Sequence, residues 1–200
     1  MVRPVFLLLV CGFSCNGNSG YPSPASTDKS GGVDTVKNGI YAAAVRFSHE
    51  KTWFYDAAYY AIPYPGGDVP SGGACTDVVI RALRENRIDL QRLIHEDMRQ
   101  HFSAYPNKWG ATAPDPNIDH RRVPNIMTFF ERRRYALPIS PNLSDYLAGD
   151  IVAWELSPGV THIGICLKNG DIYHNIGPRA RIDQEAVFNY KVIGHYRVPV

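Results

Sequence analysis

Apolar residues Val36, Ile40, Ala43, Ala44 and Phe47 recur at near-helical spacing, which predicts a helix over residues 36–47. A second helical stripe opens at Cys75 and continues through Val78, Val79, Ala82 and Leu83. Cys75 is therefore expected in the first turn of its helix, on the inward face. Asp89 suits the N-cap of a further helix carrying Leu90, Leu93, Ile94 and Met98, and Pro106 ends helical structure ahead of a loop over 109–122. Pro124 fits the first turn of another helix with Ile126, Met127, Phe129 and Phe130. From Gly149 the texture changes to strands, expected at 150–154, 161–167, 171–176 and 192–198, with Asn169-Gly170 as a hairpin signal between the middle two. Helices first and an antiparallel sheet after is an α+β pattern.

The ends of the chain follow no such period. Met1-Val2-Arg3, an apolar run from Val5 to Val10 extending to Phe13, and a polar exit at Asn16 have the grammar of a secretory signal, and the run is well short of the roughly 18 residues of a membrane span. Residues 16–33 are rich in Gly, Ser, Pro and Asn and hold too little apolar surface to order themselves. The expected organisation is a signal peptide at 1–15, a disordered linker at 16–33 and one domain at 34–200. Export to the periplasm or cell envelope follows. Cys15 raises a lipoprotein alternative, which the bulky Phe13 before it disfavours.

Of 200 residues, 44% are hydrophobic and 20% charged, ordinary for one domain with its own core. A formal net charge of +2 leaves no electrostatic footprint for nucleic acid, and Arg132-Arg133-Arg134 suits the wet end of a helix.

Four cysteines bear on chemistry. Cys11 and Cys15 fall in the leader, leaving Cys75 and Cys166 in the domain, with no disulfide scaffold and no CxxC or HExxH metal motif. A catalytic cysteine works as thiolate, and a helix N-terminus beside an imidazole favours that form. Gly72-Gly73 before Cys75 admits a substrate backbone, and free N–H groups of the first turn can hold an oxyanion. A cysteine on an apolar stripe is also common core filler. His162, after the turn Ser157-Pro158-Gly159, starts a strand with Gly164 on the same face, leaving room for a thiol to meet the ring. His174 or Asn175 on the return strand would orient that ring. Cys166 shares strand parity with His162 and has no part in this scheme.

Two polar or aromatic segments invite a binding role. Residues 55–73 are dense in Tyr, Pro and Gly, and their aromatics, Tyr64 among them, either line a cleft or cover the core. The proline-bounded loop 115–125 holds Asp119, His120, Arg121 and Arg122, which either clamp a substrate carboxylate or satisfy loop backbone. A metal site built from Cys75, His162 and His174 is a further idea, but the nearby glycines suit substrate approach better than a closed cage. No metal or cofactor is expected.

Gly149-Asp150-Ile151-Val152, His162-Ile163-Gly164-Ile165 and Tyr173-His174-Asn175, after an apolar helix opened by Cys75, resemble the NlpC-type peptidase superfamily. More closely, the motifs at 64–70, 75–81, 115–125 and His174-Asn175-Ile176-Gly177 resemble the YijF-like bacterial family, a domain of unknown function, over residues 55–196. The resemblance implies a papain-like α+β fold and a Cys-His-polar triad that cleaves an amide bond in peptidoglycan stem peptides. Its spacing points to His174 as third member. A strict two-residue turn at Asn169-Gly170 would instead put Asn175 on the face of His162. The competing function is a non-catalytic cell-wall binding module of the same fold, with the Tyr-rich loop as contact surface. The partner expected either way is peptidoglycan or another amide-containing polymer, met by a monomer with no membrane span and no nucleic acid.

Overall fold

The structure is a computed structural model and describes residues 31–199. The expected signal peptide and most of the expected linker, with Cys11 and Cys15, lie outside the described residues. Four helices come first: α1 Gly31–Glu50, α2 Cys75–Glu85, α3 Leu90–His101 and α4 Val123–Arg132. Five strands follow: β1 Ile151–Ser157, β2 Val160–Cys166, β3 Ile172–His174, β4 Arg181–Asp183 and β5 Lys191–Tyr196. The helices begin where the chain can satisfy their free N–H groups. Asp89 accepts from the Gln91 N–H ahead of α3, and Pro124 sits in the first turn of α4, where its missing N–H costs nothing. The first helix extends beyond the expected 36–47 at both ends, into the stretch read as linker.

The strands form one antiparallel sheet in the order β4-β3-β2-β1-β5. Alternation divides it into two faces. Ile151, Ala153, Ile163, Ile165 and Tyr173 join the helices in the main core, with Ile80, Leu83, Leu90, Ile94, Ile126 and Phe130. Val152, Trp154, Cys166 and Ile172 look the other way and are covered by Tyr146, Ala186 and Val187, where the indole N–H of Trp154 donates to the Val187 carbonyl at 2.7 Å. Among the described residues no helix is long and apolar enough to cross a membrane. A cysteine-headed helix packed on an antiparallel sheet that carries a histidine is the papain-like α+β arrangement.

The β2–β3 connection departs from the two-residue hairpin. Lys168–Gly170 form a three-residue turn with Asn169 and Gly170 at positive φ, and the ladder pairs Ile165 with Tyr173 and Cys166 with Ile172. One extra residue shifts register by one, and a shift of one exchanges faces. His174 thereby takes the face of His162 and Gly164.

Candidate active site

Cys75 opens α2, and the chain in front of it is held by a short chain of polar contacts. Gly73 lies at φ +146°, and a Cβ there would sit 2.7 Å from the Asp77 Cβ, so only glycine permits the approach. Asp77 in turn accepts the Ala74 N–H at 2.6 Å, capping the helix from within. Arg121 grips Asp77 from behind through Nε at 3.0 Å and Nη2 at 3.0 Å, with both side chains buried. The remaining donors of Arg121 go to the carbonyls of Ala58 and Asp56. Asn175 holds the same corner, donating to the Gly73 carbonyl at 2.7 Å.

The sulfur of Cys75 approaches β2 along the sheet edge. The Leu167 N–H points across to Asp171, so by parity the N–H of Ile163 faces the β3 side. There β3 ends at His174 and leaves that N–H without a strand partner. It is directed instead at Cys75, together with the N–H groups of Thr76 and Cys75 itself. Burial pushes the thiol up to about 11 and the Asp77 carboxylate adds to this, against those three hydrogen bonds.

One residue from Ile163, His162 lies buried on the opposite face of the strand, tilted against the Trp154 ring at 5.8 Å between centroids. Its Nε2 meets Nδ1 of His174 at 2.9 Å, and Nε2 of His174 meets Oδ2 of Asp183 at 2.9 Å. Asp183 is the diagonal cross-strand neighbour of His174, which pairs directly with Arg181. Arg181 bonds both carboxylate oxygens, Nε to Oδ1 at 2.7 Å and Nη2 to Oδ2 at 3.1 Å. Burial drives His162 down to about 3, reinforced by His174 and Arg181, and burial also lowers His174. Thiol and both imidazoles are thus neutral near pH 7.

The structure joins His162 to His174 directly and sets Cys75 against the peptide beside His162. Among the described residues no hydrogen bond links the Cys75 sulfur to the His162 ring. The ring of His174, not the amide of Asn175, meets His162. The other residues singled out from the sequence lie elsewhere: Tyr64 is half exposed and edge-on to His95, Asp119 accepts the Asp115 N–H, and His120 is buried, with burial and then Arg121 pushing it down to about 3. None of these three hydrogen-bonds to Cys75, His162 or His174 among the described residues. Arg121 reaches the nucleophile only through Asp77, as a brace whose fork is filled from inside the fold.

Asp183, Arg181 and Tyr55 were not singled out as site residues. The signal for β4 was three alternating residues, Arg181-Ile182-Asp183, too short to stand out. Tyr55 belongs to a strap laced between the two halves of the site: its N–H donates to Pro178 and its backbone bridges to Gly73. Burial and then the nearby Cys75 raise its phenol. Beside Gly72 a cleft of about 750 Å³ opens between Trp53, Phe54, Val69 and the guanidinium groups of Arg81 and Arg84. That size suits a ligand pocket.

The family model described as a domain of unknown function, DUF1287, matches residues 42–198. The uncharacterized protein YijF of Escherichia coli (strain K12) is 52% identical over 153 residues, covering 73% of this chain and 74% of that one. Similar solved structures include NlpC1 and NlpC2 of Trichomonas vaginalis, at 15% and 16% identity with TM-scores of 0.45 and 0.44, covering 79% and 80% of this chain. Another, described as similar to a lipoprotein of the NLP/P60 family from Staphylococcus aureus, has 15% identity, a TM-score of 0.42 and covers 84% of this chain. The chain spans 43%, 46% and 42% of those three structures, less than half of each.

Proposed function

We propose that this chain, which belongs to the DUF1287 family, is a thiol hydrolase that cleaves an amide bond, with Cys75 as nucleophile and His162 as general base. The observation that carries this is the pairing of a helix-capping cysteine with a histidine ring held by its own buried hydrogen-bonded series, one peptide away. Because thiol and imidazole are both neutral, no preformed ion pair waits in the free protein. The proton moves from Cys75 to His162 as the sulfur attacks the carbonyl carbon, and free N–H groups at the head of α2 receive the developing oxyanion. Collapse expels the amine, which takes the proton back from His162, and water then releases the acyl group from sulfur. His174 keeps the ring in place throughout.

The substrate we propose is the stem peptide of peptidoglycan, and the leader pattern at 1–15 supports delivery to the envelope. The test is digestion of purified peptidoglycan by the full chain and by Cys75→Ala, with soluble fragments identified by mass spectrometry. Fragments that require Cys75 identify the bond. Binding to peptidoglycan with no fragments from either protein would overturn the hydrolase and leave a wall-binding module; neither fragments nor binding would remove peptidoglycan as the substrate.

A further inference from the structure

We propose that Asp183, held by Arg181, is a positioning residue that fixes the tautomer of His162 through His174, making Nδ1 of His162 the basic atom. This deepens the hydrolase reading and rests on it for its kinetic consequence, though not for the tautomer itself.

The argument runs along one line of donors and acceptors. Both Asp183 oxygens accept from Arg181, and Oδ2 also faces Nε2 of His174 at 2.9 Å. Burial pushes the Asp183 carboxyl up, but hydrogen bonds from Arg181 and His174 outweigh it and hold the group below its ordinary value, so it is ionised at neutral pH and only accepts. The proton between Asp183 and His174 therefore sits on Nε2 of His174. A neutral imidazole carries one ring proton, which leaves Nδ1 of His174 as an acceptor. The contact at 2.9 Å between that Nδ1 and Nε2 of His162 needs a donor, and only Nε2 of His162 remains to supply it. Nδ1 of His162 is then bare, with its lone pair free to take the proton from Cys75. A carboxylate two strands away thus decides which nitrogen is the base.

An amide at position 183 reverses the logic. The shorter Arg181 contact, 2.7 Å from Nε to Oδ1, selects the amide oxygen, which turns the amide NH₂ toward His174. Nε2 of His174 must then accept, its Nδ1 must donate to His162, and the remaining proton of His162 moves to Nδ1. The base is blocked while every heavy atom keeps its place.

The experiment is ¹⁵N NMR of the histidine rings in the full chain, with His162 assigned by comparison with His162→Gln. Expected in the wild type is a proton on Nε2 of both His162 and His174; in Asp183→Asn, His162 is protonated on Nδ1. A wild-type His162 protonated on Nδ1, or an Asp183→Asn protein with the wild-type tautomer, overturns the proposal. The wild-type spectrum decides even if Asp183→Asn does not fold. Arg181→Met, which keeps the carboxylate, should retain the wild-type tautomer; a reversal there would make Arg181 the determinant and sink the role of Asp183. On the substrate found by digestion, Asp183→Asn should lower kcat about 10³-fold with KM little changed. If the tautomer reverses as expected but wild-type and Cys75→Ala proteins are equally inactive, the hydrolase reading has failed and the positioning role stands.

Discussion

Cys75 and Cys166 are two thiols of one chain in contrasting surroundings, and they make an internal comparison. Cys166 is fully buried beneath Tyr146 and Trp154, while Cys75 is partly open at the end of a helix. Burial raises both, Cys75 to about 11. Iodoacetamide reacts with the thiolate, so labelling of Cys75 should climb about tenfold per pH unit from pH 7 to pH 10, because a thiol above its ordinary value loses its proton only as pH nears 11. Cys166 should label more slowly at every pH. Peptide mapping of the labelled protein measures both rates, and a Cys75 rate already level at pH 6 would mean a stabilised thiolate and sink the neutral-pair mechanism.

At the scale of single elements, the site depends on how closely β2 and β3 lie. A Cβ at Gly164 would come within 3.0 Å of the His174 Cβ and 2.9 Å of Ile172 Cγ2, so glycine there lets the two histidine rings share one surface. Gly164→Ala should push His174 away from His162 while costing about 1–3 kcal/mol of stability from overpacking. The checks are the urea midpoint and turnover of the digested substrate, and full turnover in a folded Gly164→Ala protein would show that the imidazole contact is dispensable. The turn at Lys168–Gly170 works on the same pair from the other end, since its third residue gives His174, instead of Asn175, the face of His162.

Across the whole molecule, the loop 115–125 and the Tyr-rich strap meet under the nucleophile. Arg121 links them, bonding to Asp77 on α2 and to the carbonyls of Asp56 and Ala58 on the strap. Arg121→Met leaves the Asp77 carboxylate buried without its partner, and breaking such a pair costs about 3–5 kcal/mol. Urea unfolding should show that loss, and Asp77→Asn added to Arg121→Met should recover part of it. A loss under about 1 kcal/mol would return Arg121 to the role of a substrate clamp.

Much of the outline was legible in the chain itself. Helical spacing placed Cys75 at the head of α2, Asp89 and Pro124 marked two helix starts, and alternation after Gly149 announced the sheet with His162 on it, because periodicity and capping are local properties. The motif resemblance also agrees with the family match. The sequence did not decide between His174 and Asn175, since one residue in a turn sets a register that local pattern leaves open. Nor did it distinguish a clamp from a brace at Arg121, 44 positions from Asp77. Asp183 was invisible for the same reason: a three-residue strand has almost no period, and its carboxylate gains meaning only where tertiary pairing sets it against His174. Local order belongs to the sequence of neighbours, and the identity of the base belongs to contacts between residues that only the folded chain brings together.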